Sequence, residues 1–312
     1  MLALAAGILP FAVPEVCAAA LREGLTLCSG PLLLSLFPFL VVSRLLIQCP
    51  ESDLLALPFR LAAWGIGIRT PCAARVLCIG FLGGFAPAAS AAAQAVRTGQ
   101  LTAEEADALL PACICSGPSF VVLTVGQSLL GSAELGVLLF ASQITANYLT
   151  AALLNRFAGV RSVKPGSAAP ASPAPPRLDE ILADAAITYC KLCGFILFFR
   201  MLAAGAGALL PAGAGTLCSI LLEVCSGCDL ASRTGRWGSL LCCAALSVQG
   251  LSVLLQVRTI CPPEMTLRPL YRSRLLHLPL SLALFYLLLP GGEADVFSTL
   301  PARVLLMRRV PP

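Results

Sequence analysis

The chain has 312 residues, of which 58% are hydrophobic and only 12% charged, and its mean hydropathy is +0.88. A water-soluble domain carries about 25% charged residues, so this composition excludes a soluble enzyme and describes a polytopic, all-helical membrane protein whose surroundings are the lipid bilayer. The net charge of +5 comes from 21 basic and 16 acidic side chains, with no run of like charge that suits a nucleic-acid arm, so no nucleic-acid partner is expected.

The apolar segments follow in order. The first covers about 1–21. It has no basic leading region, and Pro10 and Pro14 interrupt it, which fits a retained span better than a removed signal peptide. The second covers about 25–47. A connector with Phe59, Arg60, Trp64 and Arg69 is amphipathic and is expected at the membrane interface. The third, 72–96, is rich in Gly and Ala, with Gly80, Gly83, Gly84 and Pro87 close together. Thr102 and Glu105 have capping-box spacing ahead of a short helix. The fourth segment, 111–130, holds Ser116-Gly117-Pro118, and the fifth covers 135–154. Residues 159–177 are a Pro-, Ala- and Ser-rich linker. Beyond it come apolar segments at about 185–210, 214–224, 240–257 and 275–289, then a tail from 291 carrying Arg303, Arg308 and Arg309.

The blocks on either side of the linker share one plan. Each has an aromatic-bearing span, a Gly-containing segment, an interrupted segment and a plain closing span. This divides the chain into a first span (1–24), a first membrane half (25–157), a linker (158–178), a second half (179–290) and a tail (291–312). If all nine segments cross, the basic residues divide almost evenly between the two faces. If the interrupted segments near Ser116 and Gly250 enter and return on one side, most basic residues gather on one face, which the positive-inside rule makes cytoplasmic. Arg60, Arg69, Arg75, Lys164, Arg233, Arg236, Arg268, Arg272 and Arg274 then share that face. The expected fold is therefore seven crossings in two halves forming an inverted repeat, with re-entrant or broken helices.

Irregular backbone at membrane depth is tolerated only inside protein or beside a wet cavity, so the interrupted segments are the candidate substrate path. Ser116, Gly117, Pro118 and Ser119 supply hydroxyls and the start of a helix suited to an anion. Gln249, Gly250 and Ser252 supply an amide and a hydroxyl, although Ser and Gly also serve as close-packing residues between membrane helices. Glu223 ends an apolar run and is either a coupling carboxylate or the cap of a half-helix starting near Ser226. Arg200, deeper in its segment than Lys191, neutralises a substrate carboxylate or pairs with Glu223. Gln143, Asn147 and Gln256 line the path or join helices. The lone His277 flanks an apolar run and is expected at the interface. With no phosphate loop, no paired metal acids and no nucleophile beside a base, catalysis and cofactors are not expected. The 15 cysteines, including Cys190-x-x-Cys193 and Cys225-x-x-Cys228, lack the polar knuckles of zinc sites and read as small packing residues.

Ser35-Leu36-Phe37-Pro38-Phe39-Leu40-Val41-Val42-Ser43 resembles the LFPF-x-V-x-S signature of YlbJ-type sporulation integral-membrane proteins, within the group carrying the nucleoside-recognition (Gate) domain. Gly80 to Gly99 resembles that family's glycine-rich helix, and Cys115-Ser116-Gly117-Pro118 its N-S-G-P break. Leu222-Glu223 through Gly227, with Gly250-Leu251-Ser252-Val253 and Gln256, resemble its second-half motifs. The resemblance covers roughly residues 18–290. It departs at Ser90, which stands where the family has lysine, and at Cys115, where it has asparagine. It implies a transporter for a small anionic solute, dipicolinic acid, in the mother-cell or outer forespore membrane. A non-transporting scaffold for sporulation membrane partners and a nucleoside transporter are the alternatives. A homo-oligomer is compatible with each.

Overall fold

A computed structural model of the chain describes residues 2–48, 54–159 and 177–289. The expected linker and tail, with Lys164, Arg303, Arg308 and Arg309, lie outside the described residues. All regular structure among the described residues is helical. The helices are α1 (Leu2–Ala12), α2 (Pro14–Ser29), α3 (Pro31–Gln48), α4 (Leu57–Gly65), α5 (Pro71–Gly83), α6 (Phe85–Arg97), α7 (Ala103–Cys113), a π-helix (Ser119–Leu129), α8 (Ala133–Ala158), α9 (Leu178–Leu209), α10 (Ala212–Leu222), α11 (Val224–Ser232), α12 (Gly238–Val248), α13 (Gly250–Ile260) and α14 (Arg268–Leu288). Among the described residues, four stretches are long and apolar enough to cross a membrane: Pro14–Leu34, Ala133–Ala158, Leu178–Leu209 and Gly235–Ile260. The chain is a membrane-embedded helical protein.

Local chemistry sets most boundaries. Pro14 and Pro71 open their helices, where a missing N–H leaves no bond unmade. The capping box at Thr102 and Glu105 is formed in full and starts α7. Ser132 caps α8, and Gly159, in the left-handed conformation, ends it. The expected division near residues 21–25 falls inside α2. The breaks come instead at Val13 and at Gly30, whose backbone lies outside the helical region.

The helix ends form two groups. At one, the near end, Arg75 at the start of α5 donates to the Ile47 carbonyl of α3 (2.7 Å) and to Gln100 beyond α6 (2.8 Å). Asn155, late in α8, donates to the carbonyls of Ile66 (2.9 Å) and Ala108 (3.1 Å). Asp107 of α7 accepts from the backbone of Thr266 (2.8 Å) and Leu267 (3.0 Å), ahead of α14. Arg44 pairs with Asp184 near the start of α9 at 2.5 Å. At the far end Leu9 packs on Gly205, and Gly215 packs on Gly207.

Two helix pairs fold back on themselves. In a straight helix Gly80 and Ala88 would stand about 12 Å apart, yet a methyl group on Gly80 would sit 3.2 Å from the Ala88 Cβ. The reversal occurs at Gly84, with φ +79°. Likewise a methyl group on Gly227 would lie 2.8 Å from Ile220 Cα, so α10 and α11 reverse around Glu223. The segments expected to be re-entrant do not reverse. The 26 residues Gly235–Ile260 continue through the break at Gln249. The α7 helix starts at the near end, and the π-helix leads into α8, which is ~39 Å long and returns to the near end. The physical reason is side-chain volume. Reversal needs two helices nearly in contact, which Gly80, Gly83 and Gly227 permit, whereas at Gln249 and Gly250, with φ of +65° and +69°, the helix is only redirected. A second correction follows: Arg233 and Arg236 lie beyond α11, at the opposite end from Arg60, Arg69, Arg75, Arg268 and Arg272.

Gly227→Leu forces a side chain into Ile220, so it lowers stability by about 1–3 kcal/mol. Thermal unfolding in detergent measures this, and Gly213→Leu, where a Cβ meets nothing within 4 Å, is the control expected to leave the midpoint unchanged.

Candidate functional site

The four helix breaks meet at the centre. A Cβ on Gly84 would come within 2.6 Å of the Gly117 nitrogen and 3.2 Å of the Cys115 carbonyl. A Cβ on Gly250 would come within 3.0 Å of the Glu223 nitrogen and the Leu222 carbonyl. The tip of the α5–α6 hairpin therefore touches the break between α7 and the π-helix, and the tip of α10–α11 touches the break between α12 and α13. Across the centre, Gln249 Nε2 donates to Ser116 Oγ, at 3.4 Å.

A cavity of about 60 Å³ lies beside these joints, with Phe85, Ser116, Ser119, Glu223 and Gln256 in its wall and Leu36 and Ile196 closing its apolar side. The residues facing it from the breaks belong to the first turns of α6, the π-helix, α11 and α13. Helix N-termini carry unbonded amides and partial positive charge. The Glu223 carboxylate covers one of these ends, accepting from the backbone amides of Cys225 (2.9 Å) and Ser226 (2.7 Å). Of the two roles read for it, the cap is the one built here, at 2% exposure. Gln256 Nε2 donates to Ser252 Oγ (2.9 Å), and Gln256 Oε1 is left buried without a partner.

The carbonyl end of α12 turns away from this cavity towards α14. There Arg274 Nη1 donates to the Ser247 carbonyl (3.4 Å) and Nη2 to Asn147 Oδ1 (3.3 Å). Gln143 Nε2 donates to Ser247 Oγ (3.0 Å), and His277 Nε2 bonds the Gln143 carbonyl (3.2 Å). Ser247 and Ser281 share a further hydrogen bond. Arg274 and His277 are both buried. This corrects the expectation of an exposed cytoplasmic arginine and an interfacial histidine: their α14 face packs against α8 and α12. Arg274 has no carboxylate within ion-pair distance among the described residues, so the carbonyl dipoles of a helix end are what stabilise it.

Of the residues expected to form the path, Ser116, Gly117, Ser119, Glu223 and Gln256 line the cavity. Gln249 and Gly250 form the joint behind it, Pro118 precedes the π-helix, and Ser252 anchors Gln256. Arg200 does not join them and does not pair with Glu223. Its Nη2 bonds Glu23 Oε2 of α2 at 2.7 Å. Ser90 lies in a separate space described below. Sequence reasoning left Gly84, Phe85 and Phe120 out of the site, although the Gly83-Gly84 doublet was a visible signal. Cys228 and Cys242 pack α11 on α12, with Cys242 Sγ 3.5 Å from the Cys228 carbonyl.

The chain matches no family model, no curated protein and no solved structure.

Because Glu223 caps α11, Glu223→Ala costs about 1–2 kcal/mol, and Glu223→Asp, itself a good cap, recovers most of it. Hydrogen exchange at the Cys225 and Ser226 amides reads the loss directly. Equal protection in Glu223→Ala and the unsubstituted chain would show that the cap contributes nothing.

Proposed function

We propose that the protein is an alternating-access transporter for a small anionic solute, built from two inverted halves. The observation that supports this most is the central cavity, ringed by the first turns of four half-helices with hydroxyl and amide side chains between them. Such ends attract negative charge, while the carbonyl end of α12 is faced by Arg274 instead. In this reading the halves are α3–α8 and α9–α14. Each has a leading helix, a hairpin, a broken crossing helix and a closing helix. The two hairpins enter from opposite ends: α5–α6 from the near end, α10–α11 from the far end. With α2 and α3 crossing together, this reading has six crossings among the described residues, where seven were first expected.

The near end gathers Arg60, Arg69, Arg75, Arg97, Arg258 and Arg268, which makes it the cytoplasmic face under the positive-inside rule. The cavity's 60 Å³ is well below the roughly 300–1,000 Å³ of ordinary small-ligand pockets. A ring-sized solute therefore requires the wall to move, as alternating access demands. The resemblance to YlbJ-type proteins supplies dipicolinic acid as the solute and the outer forespore membrane as the place. One observation favours a second reading. The Glu223 carboxylate and the unpartnered Gln256 Oε1 are acceptors, which suit a neutral solute rich in donors, such as a nucleoside.

Proteoliposomes decide between these readings. Dipicolinate flux that Gln256→Leu reduces about tenfold, a change of ~1.4 kcal/mol, is the expected result. Uridine flux without dipicolinate flux would favour the second reading, and flux of neither would leave the membrane scaffold. Topology has its own test. In a chain stripped of native cysteines, Arg69→Cys and Arg236→Cys should label from opposite faces, and labelling of both from one face would remove the inverted arrangement.

A further inference from the structure

A larger space of about 370 Å³ opens towards the near end, between α3, α6, α9 and α13. Arg44, Arg97, Lys191, Asp184, Ser90 and Thr259 line it. Arg44 is engaged by Asp184 at 2.5 Å and donates to Thr188 Oγ1 at 3.3 Å. Arg97 and Lys191 have no carboxylate partner among the described residues, and Arg97 donates only a long bond, 3.4 Å, to the Ile260 carbonyl. The wall thus holds three cations and one anion. Ser90 is 97% buried (3% exposed) and faces this space, with no hydrogen-bond partner for its hydroxyl among the described residues.

The same four helices line the central cavity one to three turns deeper, through Leu36, Phe85, Ile196 and Gln256. Between the two spaces lies a packed apolar layer of Leu40, Ala86, Tyr189 and Leu192. The Tyr189 hydroxyl donates to the Cys28 carbonyl, and its ring meets Phe37 edge-on at 6.2 Å, so both ends of that side chain are held.

We propose that this vestibule is a second anion site, which binds a small dicarboxylate from the near-end solution before it passes the Leu40–Ala86–Tyr189–Leu192 layer. Two unpaired cations match two carboxylates, with a guanidinium able to bond one in a forked geometry. The volume falls within the range of ordinary small-ligand pockets, roughly 300–1,000 Å³. The buried Ser90 hydroxyl supplies a neutral donor between them. The identity of the ligand as an anion in transit rests on the transport reading above. The existence of the site does not.

The test uses the full chain, with dipicolinate as the probe, and the variants Arg97→Gln, Lys191→Gln and their combination. Equilibrium dialysis in detergent measures binding, and uptake into proteoliposomes measures half-saturation and maximal rate. The double variant should weaken binding about tenfold or more. It should raise half-saturation by a similar factor from the near-end face and leave the maximal rate within about twofold. Wild-type binding should weaken in about 1 M salt, where the screening length falls to roughly 3 Å, and the double variant should have lost that sensitivity. Arg97→Lys, which keeps the charge, should retain it. If the wild type transports nothing but the double variant still abolishes salt-sensitive binding, the transport reading fails and the vestibule site stands. Unchanged binding and half-saturation in a folded double variant would overturn the site, as would a collapsed maximal rate at unchanged half-saturation.

Discussion

A broken helix exposes backbone amides and carbonyls, and in a membrane interior no water is at hand to satisfy them. The arrangement of the centre follows from that constraint. Each break lies against another, so the polar backbone of Gly84 meets that of Cys115–Gly117, and the backbone of Gly250 meets that of Leu222–Glu223. The ends are also sorted by sign. Amide ends surround the cavity, with the Glu223 carboxyl group capping one of them, while the carbonyl end of α12 faces the Arg274 guanidinium. Two polar side chains that would be costly alone in an apolar core, Glu223 and Arg274, are each bonded to a helix end.

Packing volume then decides which breaks reverse the chain. The hairpins are narrow because glycine stands where their helices touch. Lipid chains are as apolar as leucine, so close van der Waals approach and not water exclusion holds such pairs together. The same principle explains the run of buried alanines in α6, from Ala88 to Ala95, packed against α3, α5 and α7. Once the hairpins reverse, the arginines that follow α11 are carried to the far end, which leaves most of the basic side chains at the near one.

Much of this was legible in the residues, for identifiable reasons. The 12% charge announced the membrane, the Thr102–Glu105 spacing announced the start of α7, and proline and glycine marked the breaks at Ser116–Pro118 and Gln249–Gly250. Which breaks reverse was not legible, because reversal depends on contacts such as Gly80 with Ala88 that no local pattern encodes. Arg274 and His277 misled because they stand at the edge of the apolar run at 275–289, where a basic side chain reads as part of a connector. Their spacing with Leu270 and Ser281 on one face of a helix was the signal that they turn inward. Arg200 misled for a different reason: its partner, Glu23, lies 177 positions earlier in the chain.

The buried bonds are distributed unevenly around the axis of the molecule. On the α8–α12–α14 side, Gln143, Asn147, Ser247, Arg274 and His277 bond these three helices to one another through a continuous chain of contacts. On the α3–α6–α9–α13 side stand the central cavity, the polar vestibule and the greased layer between them. The molecule is thus built like a book, with a spine on one side and leaves on the other. Gln249 and Gly250, at φ +65° and +69°, carry the chain from α12 in the spine to α13 in a leaf.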